Sequence, residues 1–96
     1  MKPILPDYVK PYAKTDVFTE ETVPNKLINE HNTKANVWGK LHVLEGALDY
    51  VVPASEAQSK QFEYTISEGE HIIIEPQLTH FVRMTGRVRF FVEFHK

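Results

Sequence analysis

The chain reads as an all-β domain, and three observations carry that reading. Apolar and polar residues alternate with a period of two through most of residues 27–95, which is the side-chain repeat of a strand and not the 3.6 of a helix. Turn residues break the alternation into about seven or eight short strands at roughly 8–12-residue spacing, as in sandwiches and barrels. Helix signals are nearly absent: the best stretch, ASEAQSK at 54–60, is long enough only for one turn or a loop.

Taken in order, residues 1–25 form an irregular, proline-rich arm that packs along the domain or reaches a partner subunit. Its start, MKPILPDYVKPYAK, contains Pro3, Pro6 and Pro11. Leu27, Asn29 and His31 then share one face of a first strand. In VWGKLHVLEGALDYVVPA (37–54), Val37, Gly39, Leu41 and Val43 face one way, and Trp38, Lys40, His42 and Leu44 the other. Gly46 marks a turn between this strand and the next, which carries Leu48, Tyr50 and Val52. Phe62, Tyr64 and Ile66 line a further strand. After the Gly69 turn, HIIIE is a continuous apolar strand closed by Pro76. His80, Val82 and Met84 alternate with Phe81 and Arg83. The last strand sets Val88, Phe90, Val92 and Phe94 against Arg87, Arg89, Phe91, Glu93 and His95.

Length and composition narrow the function classes. Ninety-six residues make one domain, 1–96, with the arm at 1–25 and the barrel at 26–95. So short a chain buries a modest core, and a homodimer that covers exposed sheet is the expected assembly. Trp38, on the face away from the core, suits an interface anchor; its alternative is packing under the arm. A net charge of −2 with no basic stripe argues against nucleic acid. No apolar run approaches the length of a membrane span or a signal peptide, so a cytoplasmic protein is expected. With no cysteine, thiolate metal sites and cysteine nucleophiles are excluded. No G-x-S-x-G supports a serine nucleophile.

VLEGALDYVV followed by SEGEHIIIEPQLTH resembles the two-part signature of the cupin family. Gly46 matches the glycine of its first turn, and Gly69, Pro76 and His80 match its second element. More specifically, HNTK, WGKL and EPQ–H, in that order, resemble the small cupin-like domain at the N-terminus of TehB-type tellurite-resistance proteins. The same domain occurs alone in YeaR-like proteins. The resemblance implies a cupin-like double-stranded β-helix, a jelly-roll barrel, with a metal site inside. It also implies a role in resistance to tellurite or related oxyanions. The first cupin motif is broken here: His31 is followed by NTKAN, and Gly39 or Lys40 stands where its glutamate would lie. The tellurite methylation of TehB-type proteins belongs to a separate domain that uses S-adenosylmethionine. This chain has no glycine-rich strand–loop–helix, so it is not expected to be a methyltransferase by itself.

Imidazoles are the chemistry on offer. Neutral histidine suits zinc, iron or nickel, and several ligands must converge to hold an ion. His80, after the Pro76 turn, and His31, at a strand end, are the candidate ligands. His42 is the third, provided that a bulge near Gly39 turns it inward. Each has a plainer alternative: a histidine bonded to backbone, a turn former, or a solvent-facing side chain. His71 and His95 read as solvated, and Glu93 as a surface ion pair with Arg87 or Arg89. Glu75 is the nearest carboxylate to the histidines in sequence; it approaches the barrel mouth or stays solvated at a turn edge. Arg83, Arg87 and Arg89 would hold an anion if they face the cavity.

The resulting expectation is a small protein holding a divalent metal (zinc, iron, manganese or nickel), with a small ligand or oxyanion in the open position. The alternatives are a non-enzymatic ligand-binding or dimerisation module beside a separate methyltransferase, and a metal-dependent oxygenase or isomerase. No catalytic residue can be named from the sequence.

Overall fold

The computed structural model describes residues 3–55 and 59–96. It contains β1 (Pro11–Lys14), β2 (Phe18–Thr19), α1 (Asn25–Ile28), β3 (Trp38–Val52), β4 (Phe62–Ser67), β5 (His71–Ile74) and β6 (Phe81–His95). All strand pairs are antiparallel, in one six-stranded sheet of order β1-β6-β3-β4. β2 also pairs with β6, and β5 with β3. The expected all-β class is therefore observed. The segment 54–60 lies partly outside the described residues, because 56–58 are not among them.

The two long strands, β3 and β6, form the spine, and a bend runs across the whole sheet at one level. In β3 the register against β6 slips between Val43 and Glu45, and again between Gly46 and Leu48. The slip moves the buried set from odd positions (Leu41, Val43) to even ones (Leu48, Tyr50, Val52), as a bulge must. Opposite it, β4 and β5 run along the same edge of β3, interrupted by residues 68–70. There Gly69 N–H donates to the Val43 carbonyl at 2.9 Å, and Val43 N–H donates to that of Glu70 at 3.1 Å.

Gly46 is thus no hairpin turn; it is the pivot of this bulge inside one continuous strand. Its φ is +74°, and a Cβ there would lie 1.9 Å from the Arg87 carbonyl oxygen. No other residue fits without moving β6 away. Gly69, at φ +83° with open space around it, does sit in a turn, closed by Glu70 N–H to the Ser67 carbonyl at 2.9 Å.

The core lies on one face of this sheet. Leu41, Val43, Leu48, Tyr50, Ile66, Ile72, Val82, Val88, Phe90 and Val92 are buried in one cluster, with Phe18, Leu27 and Phe94 packed against it. Phe18 meets Phe90 edge-on at 5.8 Å between ring centroids.

Two other expectations need correction. Leu27 and Asn29 do not lie on a strand: Asn25–Ile28 form a single helical turn. Pro24, with φ −62°, precedes it and is set for a helix start, and two polar residues follow, without a run of β-branched ones. Leu27 still packs on the core, so its burial was legible although its element was not. His95, read as solvated, is only 6% exposed. It lies opposite Pro11 on one side and Trp38 on the other, in the middle of the sheet and not at a loose end. Among the described residues, no helix is long and apolar enough to cross a membrane.

Candidate functional site

The segment between α1 and β3 returns along the start of β6 and makes one isolated bridge. His31 N–H donates to the His80 carbonyl at 3.0 Å, and His80 N–H to that of His31 at 2.9 Å. The turn before His80 is tied to the same segment by Gln77 N–H to the Thr33 carbonyl at 3.1 Å. Directly paired residues on neighbouring strands put their side chains on one face. The two rings accordingly lie 4.3 Å apart, tilted by 60°.

Each ring is oriented by the same local device. His31 Nδ1 lies 2.9 Å from the Asn29 carbonyl oxygen, and His80 Nδ1 lies 2.8 Å from that of Leu78. A carbonyl can only accept, so both Nδ1 atoms carry the proton, and both Nε2 atoms keep a lone pair when the rings are neutral. His80 is 2% exposed. Burial pushes its pKa down to about 4, against the Leu78 hydrogen bond, which favours the charged form; nearby His31 pushes it further down. At neutral pH His80 is therefore an uncharged acceptor.

Both rings line a cavity of about 550 Å³ on the core side of the sheet. Its walls are mostly apolar, with Leu41, Ile74, Val82, Phe90, Val92 and Phe94 behind and Phe18, Pro24 and Leu27 across. Lys26, Asn32, Thr33 and Lys34 supply polar groups. A volume of this size accommodates a small organic molecule.

His42 does not join the pair. The register of β3 is unbroken from Trp38 to Val43, and the bulge comes only after His42. Its ring stays on the opposite face, stacked on Phe91 at 4.7 Å and 6.0 Å from the ring of His71. Burial, and then Lys40, lower its pKa. Glu93 Oε1 lies 4.0 Å from His42 Nε2 and 2.8 Å from His95 Nε2, so Glu93 serves histidines and not Arg87 or Arg89. Among the described residues, no three His, Cys, Asp or Glu side chains are grouped to hold an ion.

The arginines also lie elsewhere. Arg83 pairs with Asp49 at 3.0 Å and with Glu63, and Arg89 pairs with Glu45 at 3.0 Å. Arg87 is exposed, and none of the three lines the cavity. The cations that do, Lys26 and Lys34, escaped the sequence reading. They sit on a helical turn and a loop, where no periodicity reports facing.

The TehB-like domain family matches residues 13–92 of this chain. Two curated proteins from *Haemophilus influenzae* strains, each called a probable S-adenosyl-L-methionine-dependent methyltransferase TehB, are 35% and 33% identical over 70 residues. That alignment covers 72% of this chain and 24% of theirs, so the chain spans about a quarter of the length of the curated relatives it matches. The crystal structure of TehB from *Haemophilus influenzae* superposes with a TM-score of 0.81 at 28% identity, over 93% of this chain and 32% of that one. A second crystal structure, of an *Escherichia coli* K12 protein, gives 0.85 over 98% and 96% of the two chains; at 22% identity it bears on the fold alone.

Proposed function

The chain belongs to the TehB-like domain family, and from that premise we propose that it is a non-enzymatic binding module for a small, largely apolar molecule. In this reading the bent sheet is a reduced cupin-like barrel. Its setting is resistance to tellurite or related oxyanions, beside a separate methyltransferase of the kind named for its relatives.

One observation carries the proposal: two imidazoles, locked at Nδ1 by backbone carbonyls, leave their Nε2 lone pairs available at an apolar cavity of about 550 Å³. Neutral Nε2 asks for an N–H or O–H donor. A fully deprotonated oxyanion offers none, so the guest is a hydrogen-bond donor with an apolar body. Lys26 and Lys34 suit an acidic group at its other end. Phenol is a sufficient probe. Titrated against the labelled protein by NMR, it should shift the resonances of His31, His80 and Val82 saturably, and His80→Asn should weaken it about tenfold, the worth of one buried hydrogen bond. Equal affinity in the two proteins would end this reading.

A second reading, a divalent metal on His31 and His80, is favoured by the same Nδ1 bonds, since metal-bound histidines are usually oriented in this way. Among the described residues, no third His, Cys, Asp or Glu side chain is grouped with the two imidazoles, so water or the guest would complete the shell. Bound there, the ion would act as a Lewis acid toward that guest. Thermal shift against zinc, iron, manganese and nickel tests it, because a ligand of the folded state must raise stability. A flat response to all four excludes it.

A homodimer belongs to this proposal too. Ile4 and Tyr8 on the arm are 82% and 80% exposed, and sedimentation equilibrium reads the outcome.

A further inference from the structure

The imidazole cavity has two unlike ends. In the neutral rings of His31 and His80 each Nδ1 proton already goes to a carbonyl, so the Nε2 atoms can only accept. His80 is buried, whereas Lys26 and Lys34 are exposed and stand at the rim. Neither aspartate nor glutamate is among the described residues lining the cavity, although the chain holds 13 acidic residues against 11 basic ones. The charge of the site is therefore opposite in sign to that of the chain, and it favours an anion.

Chain order limits the distance between the two ends. Lys34 follows His31 by three residues, and the helical turn that carries Lys26 ends at Ile28, three residues before it. Three residues span at most about 11 Å between Cα atoms, and a flexible lysine stem covers part of that. One aromatic ring bridges the rest. The wall between is itself aromatic: Phe18, Phe90 and Phe94 line it, and Phe18 meets Phe90 edge-on, an arrangement that a further ring extends.

Resting on the reading of this cavity as a binding site, we propose that its guest is a hydroxyaryl carboxylate. The hydroxyl donates to an Nε2 of the imidazole pair, the ring lies against the three phenylalanines, and the carboxylate accepts from Lys26 and Lys34. The reverse orientation would set a carboxylate against two lone pairs with no proton between them. The guest thus enters in one sense only.

The test is a set of NMR titrations of the full isotope-labelled chain at low ionic strength. The probes are para-hydroxybenzoate, its neutral counterpart para-hydroxybenzamide, and phenol. All three should shift the resonances of His31, His80 and Val82 saturably. The carboxylate should bind about fivefold more tightly than the amide, the worth of an ion pair at an exposed rim. Molar sodium chloride should bring the two within about twofold. So should Lys26→Met combined with Lys34→Met, while phenol keeps its affinity within about twofold, because sites without shared partners act independently. Lys34→Glu should turn the preference toward the amide. Both lysines are exposed, and surface substitutions of this kind leave the fold intact. Equal affinity for carboxylate and amide, with phenol still bound, would refute the assignment and leave the binding reading standing. If none of the three binds, both fall. A preference for the carboxylate that survives loss of the two lysines, or molar salt, would also overturn it.

Discussion

Acid should unfold this protein partly through one side chain, and His80→Asn isolates it. Burial holds the folded imidazole at a pKa of about 4, whereas the unfolded chain protonates it near the ordinary 6.5. The unfolded state thus binds the proton more tightly, so stability is full above pH 6.5 and falls as the pH drops toward 4. At 1.36 kcal/mol for each factor of ten in proton affinity, the loss is capped at about 3 kcal/mol, and most of it has been reached by pH 4.5. Against a total of about 5–15 kcal/mol for a domain, that is a large share. The assay is urea denaturation at pH 7.5 and 4.5 for the parent and for His80→Asn, which retains a side-chain N–H. The variant will be weaker at both pH values; what matters is the fall between them, which should be smaller by about 2 kcal/mol or more in the variant. Carboxylates held low by their partners, Asp49 and Glu63, contribute equally to both proteins and cancel. Falls that agree within about 0.5 kcal/mol would refute the argument, since the ring would then not be kept neutral by burial.

Three further outcomes are expected. Gly46→Ala should cost about 3 kcal/mol or more, because its Cβ has no room beside the Arg87 carbonyl at a positive φ; Gly69→Ala, strained but in open space, should cost about 1 kcal/mol. Paired thermal melts distinguish them. Phe90→Ala removes a fully buried ring that Phe18 meets edge-on and should cost about 3–5 kcal/mol by chemical denaturation. Asp49→Ala breaks contacts to Thr65 and to the half-exposed Arg83; thermal melts should show only a small loss, and the ion-pair part of it should vanish in molar salt.

How far the site was readable follows the range of each signal. His31 and His80 stood out because one was read at the end of an alternating segment and the other at the start of one. Their meeting depends on the bridge between two distant segments, which no local pattern encodes. His42 shows the reverse case: its facing is a parity question, and the unbroken run from Trp38 to Val43 answers it against membership in the pair. Gly46 was recognisable as special, but a glycine at positive φ serves a turn and a bulge equally well. Tyr50 belonged to an apolar face in any reading; that its hydroxyl would lack a partner depends on what β4 and the turn after β5 place around it.

Residue order was enough to establish an all-β chain and most of its inner face, because strand side chains alternate whatever the neighbouring strand may be. The tertiary structure decided where the sheet bends, which imidazoles share a cavity, which cations line it, and that His95 lies in mid-sheet. Those depend on long-range register, and a slip of one residue in β3 reverses the facing of everything beyond it.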